Sequence, residues 1–110
     1  LFGSAVALQL GAGLALIRKK GKLPYKTIEA TCTLEYGTAT LQMHVDAIKK
    51  GEEVLLLDDL LATGGTAAAC VGMIKQLGGQ VVEIEFLIEL GFFKGREKLA
   101  GYSVYAPIVF

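Results

Sequence analysis

The sequence predicts an α/β fold: an open, mostly parallel β-sheet with flanking helices and an inserted β-hairpin. Residues 54–57 are consecutive apolar residues, typical of a central parallel strand that is covered on both faces. Residues 27–45 alternate between apolar and polar side chains with an interruption at Gly37, which predicts a hairpin with one polar face. After Gly65 the apolar residues recur at helical spacing. A strand, a loop and a helix in succession indicate an open α/β sheet.

The other elements follow from the same periodicities and from the positions of glycine. The helix after Gly65 should end at Gly78 and Gly79, because glycine favours the left-handed backbone that closes a helix. Further elements are predicted as a helix at 2–10, a buried strand at 14–17, an alternating strand at 82–88, a solvated helical turn at 92–99 and an apolar strand at 104–110. A basic cluster that includes Arg18 and Lys22 would lie just beyond the carboxyl end of the 14–17 strand.

Composition limits the classes of partner. A chain of 110 residues, 53% of them hydrophobic, can bury one core but is too short for two ordinary domains. Its 11 Lys and Arg residues balance its 11 Asp and Glu residues, so no overall field draws it to nucleic acid or to an acidic membrane. Cys32 and Cys70 lack the spacing of metal ligands and predict two buried thiols in a reducing cytosol.

The first 17 residues carry no charge, which raises the question of a membrane span or a secretory signal. Glycines interrupt the segment, it is short for a span, and it lacks the basic leader of a signal peptide, so we expect neither. Because the chain begins at Leu1 and its apolar first element has no evident partner, we expect residues 1–110 to be the C-terminal portion of a longer domain.

Two acids follow the central strand. In open α/β sheets ligands gather at the carboxyl ends of the strands, which is where Asp58 and Asp59 are predicted to lie. Adjacent carboxylates can accept hydrogen bonds from vicinal hydroxyls and help to hold a divalent metal through water or substrate oxygens. Their mutual repulsion requires a cation or hydroxyl donors to offset it.

A glycine loop, residues 62–66, then leads into the predicted helix. It consists of Ala62, Thr63, Gly64, Gly65 and Thr66. Glycine lets backbone N–H groups approach an anion closely, and the helix dipole favours negative charge at that end, so a phosphomonoester is the expected ligand. The alternative is an ordinary turn in which glycine supplies a positive φ and threonine caps the helix.

The stretch VLLLDDLLATGGT at residues 54–66 resembles the phosphoribosyl pyrophosphate binding motif of type I phosphoribosyltransferases. The resemblance implies the open sheet of that family, with Asp58 and Asp59 on the ribose hydroxyls, the glycine loop on the 5′-phosphate and Leu60 packed against the base. Three more stretches are similar to those of adenine phosphoribosyltransferases: IRKKGKLP at 17–24, LEYG at 34–37 and FKGREKL at 93–99. Xanthine-type relatives usually carry a loop closer to A-N-G-x-A, so TGGT together with LEYG favours adenine.

The resemblance also implies roles for four residues outside this motif. Arg18 and Lys22 would contact pyrophosphate. Glu35 would be the catalytic acid or base near the purine, and Tyr36 would pack or hydrogen-bond as a flexible loop closes over the site. From the residues alone, an outward glutamate on a hairpin and a solvated basic cluster remain alternatives.

The implied function is purine salvage, the transfer of a phosphoribosyl group from 5-phosphoribosyl 1-pyrophosphate to adenine to give AMP and pyrophosphate. It implies Mg²⁺ held through the substrate, and a cytoplasmic homodimer with neither nucleic acid nor membrane as a partner. In the family a first strand and a purine-selecting hood come earlier in the chain, so we expect both to precede Leu1. A non-catalytic phosphoribosyl-pyrophosphate-binding regulatory domain and a transferase for another base, such as xanthine or orotate, remain open as alternatives.

Overall fold

The computed structural model describes residues 13, 17–19, 26–34 and 37–110, of which 18, 19, 33 and 34 are described by their backbone. The strands are β1 (Ile17–Lys19), β2 (Thr27–Leu34), β3 (Gly37–His44), β4 (Glu53–Leu61), β5 (Gln80–Glu89), β6 (Val104–Tyr105) and β7 (Ile108–Val109). One α-helix, α1 (Gly65–Gln76), and two 3₁₀ turns, Gly91–Phe93 and Gly95–Leu99, complete the described elements. The helix predicted at 2–10 lies outside the described residues.

The first sheet is antiparallel, with strand order β1-β3-β2. β2 and β3 pair from Thr27 opposite His44 to Leu34 opposite Gly37, which confirms the predicted hairpin. Arg18 lies within β1, opposite Gln42, and not beyond the strand end as predicted. The reason is that an antiparallel sheet can have one face in solvent, where a strand accommodates charged residues, so the end of the apolar run does not mark the end of β1.

The second sheet is parallel: β4 pairs with β5 along one edge, and β6 and β7 both pair with the other edge of β5. β4 is longer than the apolar run that predicted it and continues through both acids to Leu61. The single strand predicted at 104–110 is divided at Pro107, because proline has no N–H to donate to a ladder.

Residues 54–57 are half-buried, and cover on both faces of this strand stays a prediction. Val54 and Leu56 pack into the cores beside α1. Leu55 and Leu57 point to the opposite face, since side chains alternate along a strand, and neither belongs to a core among the described residues.

Helix α1 lies between the two sheets and contributes to both hydrophobic cores. Cys70, Met73 and Ile74 pack with the hairpin, whereas Ala67 and Val71 pack with the parallel sheet. The helix ends as predicted: Gly78 has a φ of 89°, and the N–H of Gly79 donates to the carbonyl of Ile74 at 2.9 Å. In the ranges described, no helix has the length and apolar character needed to cross a membrane.

Candidate functional site

The carboxyl half of β4 carries the two acids that the sequence indicates. Asp58, Asp59 and Leu60 are exposed, whereas Leu61 is 1% exposed and anchors the end of the strand in the core. Asp58 is in register with Phe86 of β5, so the ladder continues past the point where the acids occur. Both carboxylates therefore project from strand backbone, with paired residues on either side of Asp59, and not from an irregular loop.

The two acids are neighbours, and Asp58 is partly shielded from solvent. Partial burial raises the pKa of Asp58 from 3.8 to about 6, and the neighbouring Asp59 carboxylate adds to the increase. The backbone N–H of Asp59 donates to Asp58 Oδ1 at 2.8 Å and lowers the pKa in part. No cation in the described ranges forms an ion pair with either carboxylate. Hydroxyl donors or a bound cation would relieve this repulsion.

The glycine loop connects β4 to α1 with a backbone that glycine permits. Gly64 has a φ of 84° and occupies the N-cap position of α1, where no side chain caps the helix. Among the described residues, the only side chain that bonds to a backbone amide at the start of the helix is Thr63, whose Oγ1 accepts from the N–H of Gly65 at a long 3.5 Å. Gly64 therefore has the positive φ that the alternative of an ordinary turn also expects, whereas, in the described residues, threonine contributes only this weak bond to the first amides of α1.

A cavity of about 280 Å³ lies where these elements meet. It is lined by Cys32, Ala39, Leu41, Asp58, Asp59, Leu60, Leu61, Ala62, Thr63, Gly64, Thr66, Ala67 and Phe86. One concave surface therefore contains both acids, Leu60 and most of the glycine loop. Gly65 is the one residue of the loop that does not line this surface. In the described part of the chain, no group of three His, Cys, Asp or Glu side chains could hold a metal ion.

The hairpin of β2 and β3 forms one wall of the cavity, which the sequence does not predict. Cys32 Sγ lies 3.9 Å from Thr66 Oγ1, which joins the inward face of β2 to the first turn of α1. The alternation along 27–45 predicts that Cys32 faces inward, but not that this face reaches the glycine loop. Cys70 does not line the cavity, and burial raises the pKa of its thiol to about 12. Both cysteines are free and buried, which confirms the prediction of two buried thiols.

Four predicted site residues cannot be placed with this cluster. Arg18 is described by its backbone, which lies in β1. Lys22, Glu35 and Tyr36 lie outside the described residues, the last two between β2 and β3 in the chain. Their roles stay predictions.

A family model for the phosphoribosyl transferase domain matches residues 1–102. In sequence, an adenine phosphoribosyltransferase of Acetivibrio thermocellus is 56% identical over 104 residues, which cover 94% of this chain and 61% of that protein. The chain thus spans about three fifths of the length of this relative.

Solved structures agree with the family match. The crystal structure of adenine phosphoribosyltransferase from Thermoanaerobacter pseudethanolicus superposes with a TM-score of 0.95 at 48% identity, covering 99% of this chain and 63% of that one. The Saccharomyces cerevisiae enzyme, complexed with an imino-altritol bisphosphate and adenine, gives a TM-score of 0.90 at 41% identity over 96% of this chain and 59% of that one. The predicted type I phosphoribosyltransferase-like sheet is confirmed, and the chain belongs to the phosphoribosyltransferase family.

Proposed function

We propose that this protein is an adenine phosphoribosyltransferase of purine salvage. It would transfer the phosphoribosyl group of 5-phosphoribosyl 1-pyrophosphate to N9 of adenine and release AMP and pyrophosphate. The observation that carries the proposal is the single cavity in which Asp58, Asp59 and the glycine loop meet. The similarity to adenine phosphoribosyltransferases supports the choice of base. Residues 1–110 would then form part of one phosphoribosyltransferase domain.

Each described group in the cavity has a chemical role in this reaction. Asp58 and Asp59 would accept hydrogen bonds from the ribose 2′ and 3′ hydroxyls, which would offset the repulsion between the two carboxylates. The amides of the glycine loop and the hydroxyls of Thr63 and Thr66 would hold the 5′-phosphate at the start of α1, where the helix dipole favours an anion. Leu60, exposed at the cavity, would pack against the base.

The reaction breaks the bond from ribose C1′ to the pyrophosphate oxygen and forms a bond from C1′ to N9. The electron pair of the broken bond leaves with pyrophosphate, and the proton on the purine nitrogen must be taken up. Glu35 is our candidate for the group that takes up that proton. Arg18 and Lys22 would neutralise the charge that develops on pyrophosphate, and Tyr36 would pack or hydrogen-bond as the loop closes. These four roles rest on the family resemblance. Catalysis would come mainly from positioning and charge stabilisation.

The carboxylates of the cavity also fit a divalent cation. Asp58 and Asp59 are oxygen donors that no cation pairs with in the described ranges, and Mg²⁺ prefers oxygen ligands while retaining water. These two residues would hold it through water or substrate oxygens. When bound, Mg²⁺ neutralises charge on the diphosphate. A cytoplasmic homodimer is a further proposal, supported by the family alone.

The test is an assay of the protein at its full natural length. Labelled adenine, hypoxanthine, xanthine and orotate are each incubated with and without 5-phosphoribosyl 1-pyrophosphate and Mg²⁺. We expect AMP from adenine and no comparable product from the other bases. A product from another base alone would replace the substrate assignment, and binding of 5-phosphoribosyl 1-pyrophosphate without any product would favour a regulatory domain.

A second assay tests the proton transfer proposed for Glu35. Glu35→Gln should lower turnover and remove the ionisation of this group from the pH profile. Turnover equal to that of the wild type across the pH range would reject the role.

A further inference from the structure

The segment after β5 contacts the glycine loop through backbone. Lys94 has a left-handed backbone with a φ of 54°, which a non-glycine residue seldom adopts, and it directs the chain into the buried Gly95. A methyl group on Gly95 would overlap the carbonyl oxygen of Ala62. A methyl group on Gly64 would lie 2.5 Å from the carbonyl oxygen of Gly95. The two backbones thus touch with no room for a side chain between them.

This contact is made from outside the cavity. Gly95 does not line the cavity, whereas Ala62 and Gly64 do. The 3₁₀ turn Gly95–Leu99 therefore supports the glycine loop from behind. Its last residue, Leu99, is 2% exposed and packs in the same core as Leu61, so both ends of the turn are fixed against the end of β4.

An ion pair holds this turn to the end of β5. Glu89, the last residue of β5, is 6% exposed and in register with Leu61. Arg96 Nε donates to both carboxylate oxygens of Glu89, at 2.8 and 3.0 Å, and Arg96 Nη2 lies 2.8 Å from Glu89 Oε1. Arg96 Nη1 donates to the carbonyl oxygen of Val104 at 2.8 Å. One guanidinium thus joins the turn to β5 and to β6.

We propose that Arg96 is a positioning residue for the 5′-phosphate: its ion pair with Glu89 holds Gly95 against the glycine loop and so fixes the direction of the loop amides. The proposal rests on the proposed function, because it assumes that the loop binds a phosphate. Small displacements of groups that hold a substrate reduce binding strongly. Because the glycine loop contacts the 3₁₀ turn through backbone, a shift of the turn should also shift the loop. Asp58 and Asp59 are held by β4, so loss of the support should weaken phosphate binding more than it changes the chemical step.

The experiment compares Arg96→Gln with Lys98→Gln in the protein at its full natural length. Lys98 is an exposed cation of the same 3₁₀ turn, so its variant loses the same charge without the ion pair. We expect Arg96→Gln to raise both the KM for 5-phosphoribosyl 1-pyrophosphate and the Kd for ribose 5-phosphate about tenfold, with kcat changed less than about twofold. Lys98→Gln should match the wild type. A role in stability alone would lower kcat through loss of folded enzyme and leave KM unchanged.

Arg96→Lys keeps a cation beside Glu89 and covers the case in which Arg96→Gln does not fold. A lysine cannot bind the carboxylate through two nitrogens and reach Val104 as well, so we expect an increase of about threefold in KM. If a folded Arg96 variant has an unchanged KM, the proposal for Arg96 is overturned. The proposed function is still intact in that case, provided that the wild type binds ribose 5-phosphate. If the wild type binds no ribose 5-phosphate, the proposed function fails, and this inference fails with it.

Discussion

The neighbouring parallel strands β4 and β5 both carry carboxylates near their carboxyl ends, and the two ends differ in how that charge is balanced. On β5, the buried Glu89 is matched by Arg96 through three nitrogen to oxygen contacts of 2.8 to 3.0 Å. On β4, Asp58 and Asp59 repel each other in the wall of a cavity, and no cation of the described ranges pairs with them. The difference separates a carboxylate that a cation of the fold neutralises from a pair that no cation of the described ranges neutralises.

The comparison has an energetic consequence. Loss of the cation that pairs with a buried acid is costly, because the acid is left charged in a poorly solvated place. An acid pair without a cation lowers stability and gains its partner on binding. Loss of Arg96 should therefore lower the stability of the fold, whereas loss of an acid on β4 should weaken binding without lowering stability.

The largest effect is expected at the β5 end. Arg96→Met should lower the free energy of unfolding by about 2 to 3 kcal/mol, since it leaves the carboxylate of Glu89 buried and unpaired. Urea unfolding measures the change, with Lys98→Met as the control for loss of an exposed cation. The double variant Arg96→Met with Glu89→Met should lose less than Arg96→Met alone. Equal losses in Arg96→Met and Lys98→Met would show that the ion pair contributes nothing and would remove the contrast.

At the β4 end the effect should be on affinity. Asp59→Asn should weaken binding of ribose 5-phosphate about 30-fold, or about 2 kcal/mol, as expected for loss of a charged hydrogen-bond acceptor. The free energy of unfolding should change by less than about 0.5 kcal/mol. Calorimetric titration measures the affinity, and Asp46→Asn, at an exposed turn, is the control. Affinity equal to that of the wild type would remove Asp59 from the site.

The raised pKa of Asp58 gives a pH dependence of known sign. The pKa of this acid is about 6 in the folded protein and about 3.9 in the unfolded chain. Its contribution to the free energy of unfolding is therefore fully present below pH 4 and is lost as the pH rises through 6. Asp58→Asn should therefore be more stable than the wild type at pH 7 by about 1 kcal/mol, a value reduced for the exposure of the side chain, and equal to it at pH 4. Urea unfolding at both pH values tests this. A variant less stable at pH 7 would reverse the sign and show that Asp58 supports the fold.

The smallest effect should come from a second pair of acids that lies away from the strand ends. A hydrogen bond with Glu83 raises the pKa of Glu85, and Ser103 Oγ donates to Glu83 at 3.1 Å. Neither acid lines the cavity. Glu85→Gln should change the free energy of unfolding by less than about 0.5 kcal/mol and leave the affinity for ribose 5-phosphate unchanged. A loss of affinity would show that acid pairs anywhere on the sheet affect the site.

The candidate site could be predicted from local sequence because its described core lies in one contiguous stretch. Asp58, Asp59 and the glycine loop follow one another along the chain, and each has a backbone or charge requirement that is visible in its residue type. The order of strand, loop and helix could be predicted for the same reason. The break at Pro107 had a local signal as well, since proline cannot extend a ladder.

The contacts around that stretch depend on pairings that no local pattern encodes. From the sequence, Arg96 is predicted to lie in a solvated turn. Its ion pair cannot be predicted in the same way, because its partner Glu89 lies in another element. The extension of β4 through Asp58 follows from the length of β5, with which it pairs. The approach of Cys32 to Thr66 requires the hairpin to pack on α1. In each case the deciding neighbour lies in another element of the structure.

Helix α1 lies between the two sheets, and its placement has a consequence for how the protein opens. Its inner side chains, including Met73 and Ile74 at 1% exposure, belong to a core that would be exposed if the hairpin detached. Ala67 and Val71 would lose their contacts if the parallel sheet detached. Hydrogen exchange at the amides of α1 should therefore require global unfolding, with protection greater than at the exposed ends of β6 and β7. The glycine loop leads directly into this helix, so we expect its anchor to persist through local fluctuations of either sheet.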